Sequence, residues 1–141
     1  MSKVLNFIDL FSGCGGLSAG LSRAGLNCVL GLDHRQHAID SFQRNHEKSI
    51  GLCADIRKTS PNDVRKLINR TFKSTRKIHL ICGGPPCQGF STVGAGDAND
   101  ERNHLFLDFV KFVEYFNPNY ILIENVTGLL AKKNRDTLKS I

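Results

Sequence analysis

The chain has 141 residues, 40% of them hydrophobic and 23% charged, a length that fits one domain and a composition that matches soluble globular proteins. No apolar run approaches the roughly 20 residues that cross a bilayer, and the N-terminal MSKVLNFIDLF, broken by Asn6 and Asp9, is a poor signal peptide and a good buried strand. The formal net charge of +6 favours a polyanionic partner, although the basic residues are spread along the chain, with small clusters at residues 65–77 and 132–135. These features predict an intracellular protein with no membrane partner.

Short apolar runs alternate with amphipathic stretches. Residues 4–10 read as a strand feeding a glycine-rich turn. Leu17, Ala19, Leu21 and Ala24 recur at helical spacing within residues 15–25, and Gly25 stops that helix. A second strand is expected over residues 27–32, ending at Asp33. A helix follows over residues 34–47, with Ala38, Ile39 and Phe42 on one face. A weak strand lies near residues 49–53, and Pro61 opens a basic helix that runs to about Phe72. Residues 78–82 form a buried strand that enters Gly83-Gly84-Pro85-Pro86-Cys87. Residues 88–103 are polar and glycine-rich and read as a loop. A helix covers residues 105–116 and Pro118 breaks it. Tyr120 to Ile123 is the fifth strand, ending at Glu124-Asn125, and residues 127–141 read as helical. This alternation predicts an α/β fold with a mostly parallel sheet and right-handed crossovers. In such sheets ligands sit beyond the carboxyl ends of the strands. Every unusual local sequence here falls at one of those ends: residues 9–16, Asp33, Asp55, residues 83–87 and residues 124–125.

The five cysteines are odd in number, and none has zinc-ligand spacing, so neither a disulfide framework nor a metal is expected. Cys28, Cys53 and Cys82 sit among apolar residues and read as buried small hydrophobes, whereas Cys14 and Cys87 lie in glycine-rich segments.

Asp9-Leu-Phe-Ser-Gly-Cys-Gly-Gly16 combines a strand end, a glycine turn and a helix start. A dinucleotide fingerprint would want a third glycine at position 18, where Ser18 stands, and no Lys-Ser/Thr follows as in a P-loop. The segment reads equally as a nucleotide-type turn and as an ordinary tight turn. Asp33, twenty residues after Gly13, suits a ribose with two free hydroxyls. Asp55 at the third strand's end suits an adenine amino group. In Gly83-Gly-Pro-Pro-Cys-Gln-Gly-Phe-Ser91 two prolines fix the backbone entering Cys87, and flanking glycines permit close approach of a substrate. A thiol held so rigidly at a strand end reads as a nucleophile. Glu124, ending an apolar strand, is expected to be partly buried, with its ionisation disfavoured, as suits a proton donor; a helix cap or a solvated acid is the plainer reading.

Asp-Leu-Phe-Ser-Gly-Cys-Gly-Gly, Gly-Gly-Pro-Pro-Cys-Gln-Gly-Phe-Ser and Glu-Asn-Val, in that order, resemble the first, fourth and sixth motifs of the cytosine-5 DNA methyltransferases, and the likeness covers essentially the whole chain. The resemblance implies a Rossmann-like, S-adenosylmethionine-dependent methyltransferase fold and double-stranded DNA as the partner. It also implies a flipped-out cytosine attacked at C6 by Cys87, with Glu124 at the N3 edge. Phe11, Gly13, Gly15, Asp33, His34, Asp55, Ile56, Pro85 and Leu105 match the family's cofactor positions. Pro86, Gln88, Ser91, Asn125 and Val126 match its substrate positions, and residues 88–103 match its mobile catalytic loop. His34 stands where an aromatic or apolar residue usually covers the adenine, and Asp33 where glutamate is common.

Family enzymes also carry a Gln-x-Arg-x-Arg motif, a target-recognition region and a returning C-terminal segment. None is found within residues 1–141. The chain is therefore expected to be the N-terminal part of a catalytic domain, its sheet incomplete at the C-terminus, inactive alone and completed by a C-terminal complementing chain. For a bacterial source the resemblance implies a cytoplasmic, nucleoid-associated restriction-modification enzyme. An RNA cytosine-5 methyltransferase and a non-catalytic cofactor- or DNA-binding remnant are the alternatives.

Overall fold

A computed structural model describes residues 4–74, 76–86 and 101–124, excepting the side chains of residues 101–103. Its five strands are β1 (Asn6–Leu10), β2 (Asn27–Asp33), β3 (Ile50–Cys53), β4 (Leu80–Gly83) and β5 (Tyr120–Ile123). Its helices are α1 (Gly16–Arg23), α2 (Gln36–Asn45), α3 (Pro61–Phe72) and α4 (Glu101–Phe116), with a short 3-10 turn at Ile56–Lys58. The strands form one sheet in the order β3-β2-β1-β4-β5, and every pairing is parallel. The chain winds outward from β1 to β3 and then restarts beside β1 with β4. The winding thus reverses between β1 and β4, and at such a point the strand ends splay to leave a crevice.

Alternate residues of the strands feed two separate cores. Phe7, Cys28, Leu80 and Cys82 pack with Phe42 of α2, and Leu17 and Leu21 of α1 lie against them. Ile8, Leu10, Leu30 and Ile81 face the other way, with Val64 and Ile68 of α3 and Phe109, Phe112 and Phe116 of α4. The sheet is therefore the middle layer, with α1 and α2 on one side and α3 and α4 on the other. One irregularity interrupts the β1–β2 ladder: Phe7 pairs with Cys28 and Ile8 with Leu30, so Val29 is an extra residue in β2.

Pro61 opens α3, as its fixed φ and missing N–H favour. The fifth strand also has its expected bounds. Elsewhere the limits move. The second helix starts at Gln36 rather than at His34, because Asp33 and Arg35 make the local bonds of a turn there. The fourth begins at Glu101, four residues before the expected start, so residues 101–103 are helical and not loop. Their polarity suggested a loop, but polar residues at a helix start carry little information against helix. Cys53 is exposed rather than buried, since β3 is an edge strand of this sheet and Cys53 is its last residue. Among the described residues no helix is long and apolar enough to cross a membrane.

Candidate active site

The carboxyl end of β1 runs straight into the glycine turn. Phe11, Gly13 and Gly15 have φ values of 63°, 52° and 89°. The left-handed region suits glycine, but for a bulky side chain such as Phe11 it is an outlier that the surroundings must enforce. The Ser12 N–H donates to the Leu32 carbonyl at 3.0 Å, which ties the turn to β2. The Gly13 N–H donates to Asp33 Oδ2 at 3.0 Å, and the Arg35 N–H donates to Asp33 Oδ1 at 3.0 Å. Asp33 is 4% exposed. Burial alone would raise its pKa, but the N–H donors of Arg35 and Gly13 and the Arg35 guanidinium outweigh that and hold it below the usual carboxylate range. Asp33 therefore has a structural task, pinning the turn, beside any task toward a ligand.

A cavity of about 170 Å³ opens beside this turn, at the carboxyl ends of β1, β2 and β3. Phe11, Leu32, Asp33 and His34 form one side of its lining, and Ala54, Asp55, Ile56 and Arg57 another. Leu105 of α4 and Pro86 complete it. Six expected cofactor residues thus meet at one cavity: Phe11, Asp33, His34, Asp55, Ile56 and Leu105. Gly13 and Gly15 shape the turn behind it. The proline in the cavity wall is Pro86, expected to face substrate, and not Pro85.

Arg57 is a cavity residue that the strand-end reading missed. Its guanidinium grips Asp55, with Nε at 2.9 and 3.1 Å from the two oxygens and Nη2 at 2.7 Å from Oδ2. The Arg57 N–H donates to Asp55 Oδ1 as well, capping the 3-10 turn. These bonds from Arg57 hold the Asp55 carboxyl at a pKa of about 2, against the opposing effect of burial. Asp55 is thus a fixed anion whose remaining lone pairs can accept from a ligand. The Asp-x-Arg spacing was the available signal.

A second set of groups lies where β4 and β5 end. The Glu124 N–H continues the ladder by donating to the Gly83 carbonyl at 3.0 Å. A Cβ on Gly84 would stand 2.8 Å from Glu124 Oε2, so the bare backbone of Gly84 is what admits that carboxylate. Glu124 is exposed, contrary to the expected partial burial, because β5 is an edge strand here and its own side chains are open to solvent. The prolines that follow Gly84 lead toward the cavity. Cys87, Gln88, Ser91, Asn125 and Val126, the loop of residues 88–100 and the tail lie outside the described residues.

Beneath the site, Asp9 is 1% exposed and accepts a hydrogen bond from Ser18 Oγ at 2.6 Å. Burial pushes its pKa up to about 6, with the Ser18 and Cys82 contacts opposing. A neutral buried carboxyl favours folding at low pH, and that stabilisation is lost as pH rises from the ordinary carboxylate range through about 6. Asp9→Asn keeps a neutral partner for Ser18. It should therefore stabilise the protein by up to about 3 kcal/mol near pH 8 and by little near pH 4. Melting curves at the two pH values check this, and a gain of equal size at both would contradict it.

Residues 5–141 match the family described as C-5 cytosine-specific DNA methylase. The chain belongs to that family. Among methylases of known sequence, it is 40% identical over 131 residues to the Type II methyltransferase M.DdeI of Desulfomicrobium norvegicum, which covers 93% of this chain and 30% of that protein. It is 38% identical over 124 residues to the Type II methyltransferase M.AgeI of Thalassovita gelatinovora, covering 88% of this chain and 28% of that one. A crystal structure described as a DNA modification methyltransferase encoded within an E. coli prophage superimposes with a TM-score of 0.78 at 37% identity, over 96% of this chain and 36% of that one. The chain thus spans about a third of the length of these relatives. The likeness at that TM-score makes its fold the Rossmann-like one of the methyltransferases.

Proposed function

We propose that residues 1–141 are the N-terminal part of a DNA (cytosine-5) methyltransferase catalytic domain, holding S-adenosylmethionine in the cavity between Asp33 and Asp55 and using Cys87 as the nucleophile. The observation that carries this reading is the position of Pro86. The residue immediately before Cys87 lines the same cavity as Phe11, Asp33 and Asp55. Cys87 follows Pro86 directly in the chain, and a base held by Cys87 at C6 must present its C5 to the methyl group of a cofactor in that cavity.

The cavity's chemistry fits an adenosine-containing cofactor. Its walls from Phe11, Ile56 and Leu105 suit a flat heterocycle, and Asp33 and Asp55 are anions able to accept from ribose hydroxyls and an adenine amino group. Ser12 Oγ, buried behind the turn, has no hydrogen-bond partner among the described residues. When bound, S-adenosylmethionine supplies the electrophilic methyl group that C5 of the base accepts.

The remaining steps belong to the protein. The Cys87 thiolate adds to C6 of a flipped-out cytosine, and the electron pair moves through the ring to make C5 nucleophilic. Glu124 donates a hydrogen bond or proton at N3, where the ring would otherwise carry negative charge. After methylation a solvent base takes the C5 proton, its electron pair re-forms the C5–C6 double bond and expels the Cys87 thiolate, and N3 returns its proton to Glu124. The net charge of +6 supports duplex DNA as substrate over a neutral one.

Asp33→Ala and Asp55→Ala should each weaken S-adenosylmethionine binding, by about 1–3 kcal/mol for loss of a buried hydrogen bond to the ligand. The larger loss is expected at Asp33, which also pins the turn. Calorimetry showing full affinity in both variants would place the cofactor elsewhere.

The relatives' greater length supports a division of labour in which further sequence supplies the arginine motif, the recognition region and the segment that closes the pocket. The purified 141-residue chain should transfer no tritiated methyl groups to plasmid DNA alone, and should do so when a C-terminal complementing chain is added. Robust, sequence-specific transfer without a partner would contradict that division. With the complementing chain present, transfer to RNA in preference to duplex DNA would favour an RNA methyltransferase, and cofactor binding without any transfer a non-catalytic remnant. A cytoplasmic, nucleoid-associated location follows from the same reading for a bacterial source.

A further inference from the structure

The glycine turn is held from its outer side by residues 31 positions away in sequence. Asn45, the last residue of α2, donates from Nδ2 to the Cys14 carbonyl at 3.1 Å. His46 Nε2 lies 3.0 Å from the Gly15 carbonyl. A carbonyl can only accept, so Nε2 carries the proton in this contact. The same carbonyl takes the Ala19 N–H at 2.8 Å, the first bond of α1. Gly15 has φ 89°, and the ideal position of a Cβ there is 2.5 Å from His46 Nε2. The imidazole therefore occupies the space that any side chain at Gly15 would need, with the Phe42 ring beside it at 4.6 Å between centroids.

The anchor is itself fixed. Gln43 Nε2 donates to the carbonyls of His46 at 3.3 Å and Ser49 at 3.0 Å. Gln43 Oε1 accepts from the Gly51 N–H at 2.9 Å. A continuous set of hydrogen bonds thus runs from β3 through Gln43 to His46 and on to the turn. Asn45 is exposed, and neither Asn45 nor His46 lines the cavity.

With adenine at Asp55 and ribose at Asp33, which holds the Gly13 N–H, the methionine end of S-adenosylmethionine falls to the turn, and the geometry points to Asn45 and His46 as positioning residues for that end, acting through the Cys14 and Gly15 carbonyls. This rests on the cofactor reading above. The adenine end is built by other residues, Asp55, Ile56 and Leu105, which the anchor does not touch. The two halves of the ligand should therefore respond differently to its removal.

The test is calorimetric titration of the complemented enzyme, wild-type and with Asn45→Ala, His46→Ala or His46→Gln, with two probes, S-adenosylhomocysteine and adenosine, alongside melting curves. Asn45→Ala and His46→Ala should each lose about fivefold in affinity for S-adenosylhomocysteine, the worth of one hydrogen bond. Adenosine affinity should stay within about twofold, and His46→Gln, which keeps an N–H donor, should recover much of the loss. Unchanged affinity for S-adenosylhomocysteine, or equal weakening of both probes with a lowered melting temperature, would overturn the proposal. If His46→Ala does not fold, Asn45→Ala on the exposed side decides between the same outcomes. A wild-type complemented enzyme that binds neither probe would overturn the cofactor reading itself, which separates that failure from the failure of the anchor.

Discussion

Cys87→Ala should abolish methyl transfer by the complemented enzyme, and Glu124→Gln should lower it by about 100-fold or more, the range typical of a lost acid-base group. The first effect is absolute because none of the described thiols can substitute. Burial pushes the Cys82 thiol up, and burial likewise pushes Cys28 up to about 11, so neither forms a thiolate near neutral pH. Cys14 and Cys53 are exposed, but they sit in the glycine turn and at the end of β3 and do not follow the Gly84-Pro85-Pro86 entry from β4. Gly84→Ala supplies a graded version of the second effect. Its methyl group would displace the Glu124 carboxylate, so activity should fall while cofactor affinity holds. Tritiated methyl incorporation together with calorimetry separates the two quantities. Transfer that survives Cys87→Ala would remove the nucleophile assignment.

Gly83→Ala should be the most damaging single change to the fold. Gly83 pairs with Leu10 in the parallel ladder. A Cβ there would fall 2.0 Å from the Leu10 carbonyl oxygen, a backbone atom with no freedom to swing away. The central strands must separate to admit it, at a cost of about 3 kcal/mol or more. The same separation would shift the β1 end that carries Phe11 and the turn. Denaturant unfolding should show the midpoint falling steeply; an unchanged midpoint would mean that β1 and β4 are less closely apposed than described.

Much of this organisation was legible in the sequence where a residue's local chemistry allows few alternatives. Pro61 and Pro118 fixed the limits of α3 and the entry to β5, and the glycines and paired prolines marked the strand ends at which the cavity lies. The family motifs then gave roles to Phe11, Asp33, Asp55 and Leu105, and the fold brings these to one cavity. What could not be read depends on distance in sequence or on position in the sheet. Glu124 and Cys53 looked buried because their neighbours are apolar, but both lie at ends of edge strands. The pairing of Arg57 with Asp55 has a local signal, a two-residue spacing that carries weight only once Asp55 is known to face a cavity. The contact of His46 with Gly15 has no local signal at all. It exists because α2 docks Phe42 on the sheet and its last turn then overhangs β1. Asp9 lay in plain view within the first motif, yet nothing in its neighbours announced a fully buried carboxyl bonded to Ser18.

The most direct test of the account is trapping on duplex DNA in which the target cytosine is replaced by 5-fluorocytosine, with the complemented enzyme and S-adenosylmethionine. Fluorine at C5 cannot leave as a proton does, so the C6–S bond should persist after methylation. Peptide mapping of the adduct by mass spectrometry is predicted to place the modified base on Cys87, with the methyl group present on the ring. An adduct on Cys14 or Cys53, or trapping that proceeds equally in Cys87→Ala, would contradict it.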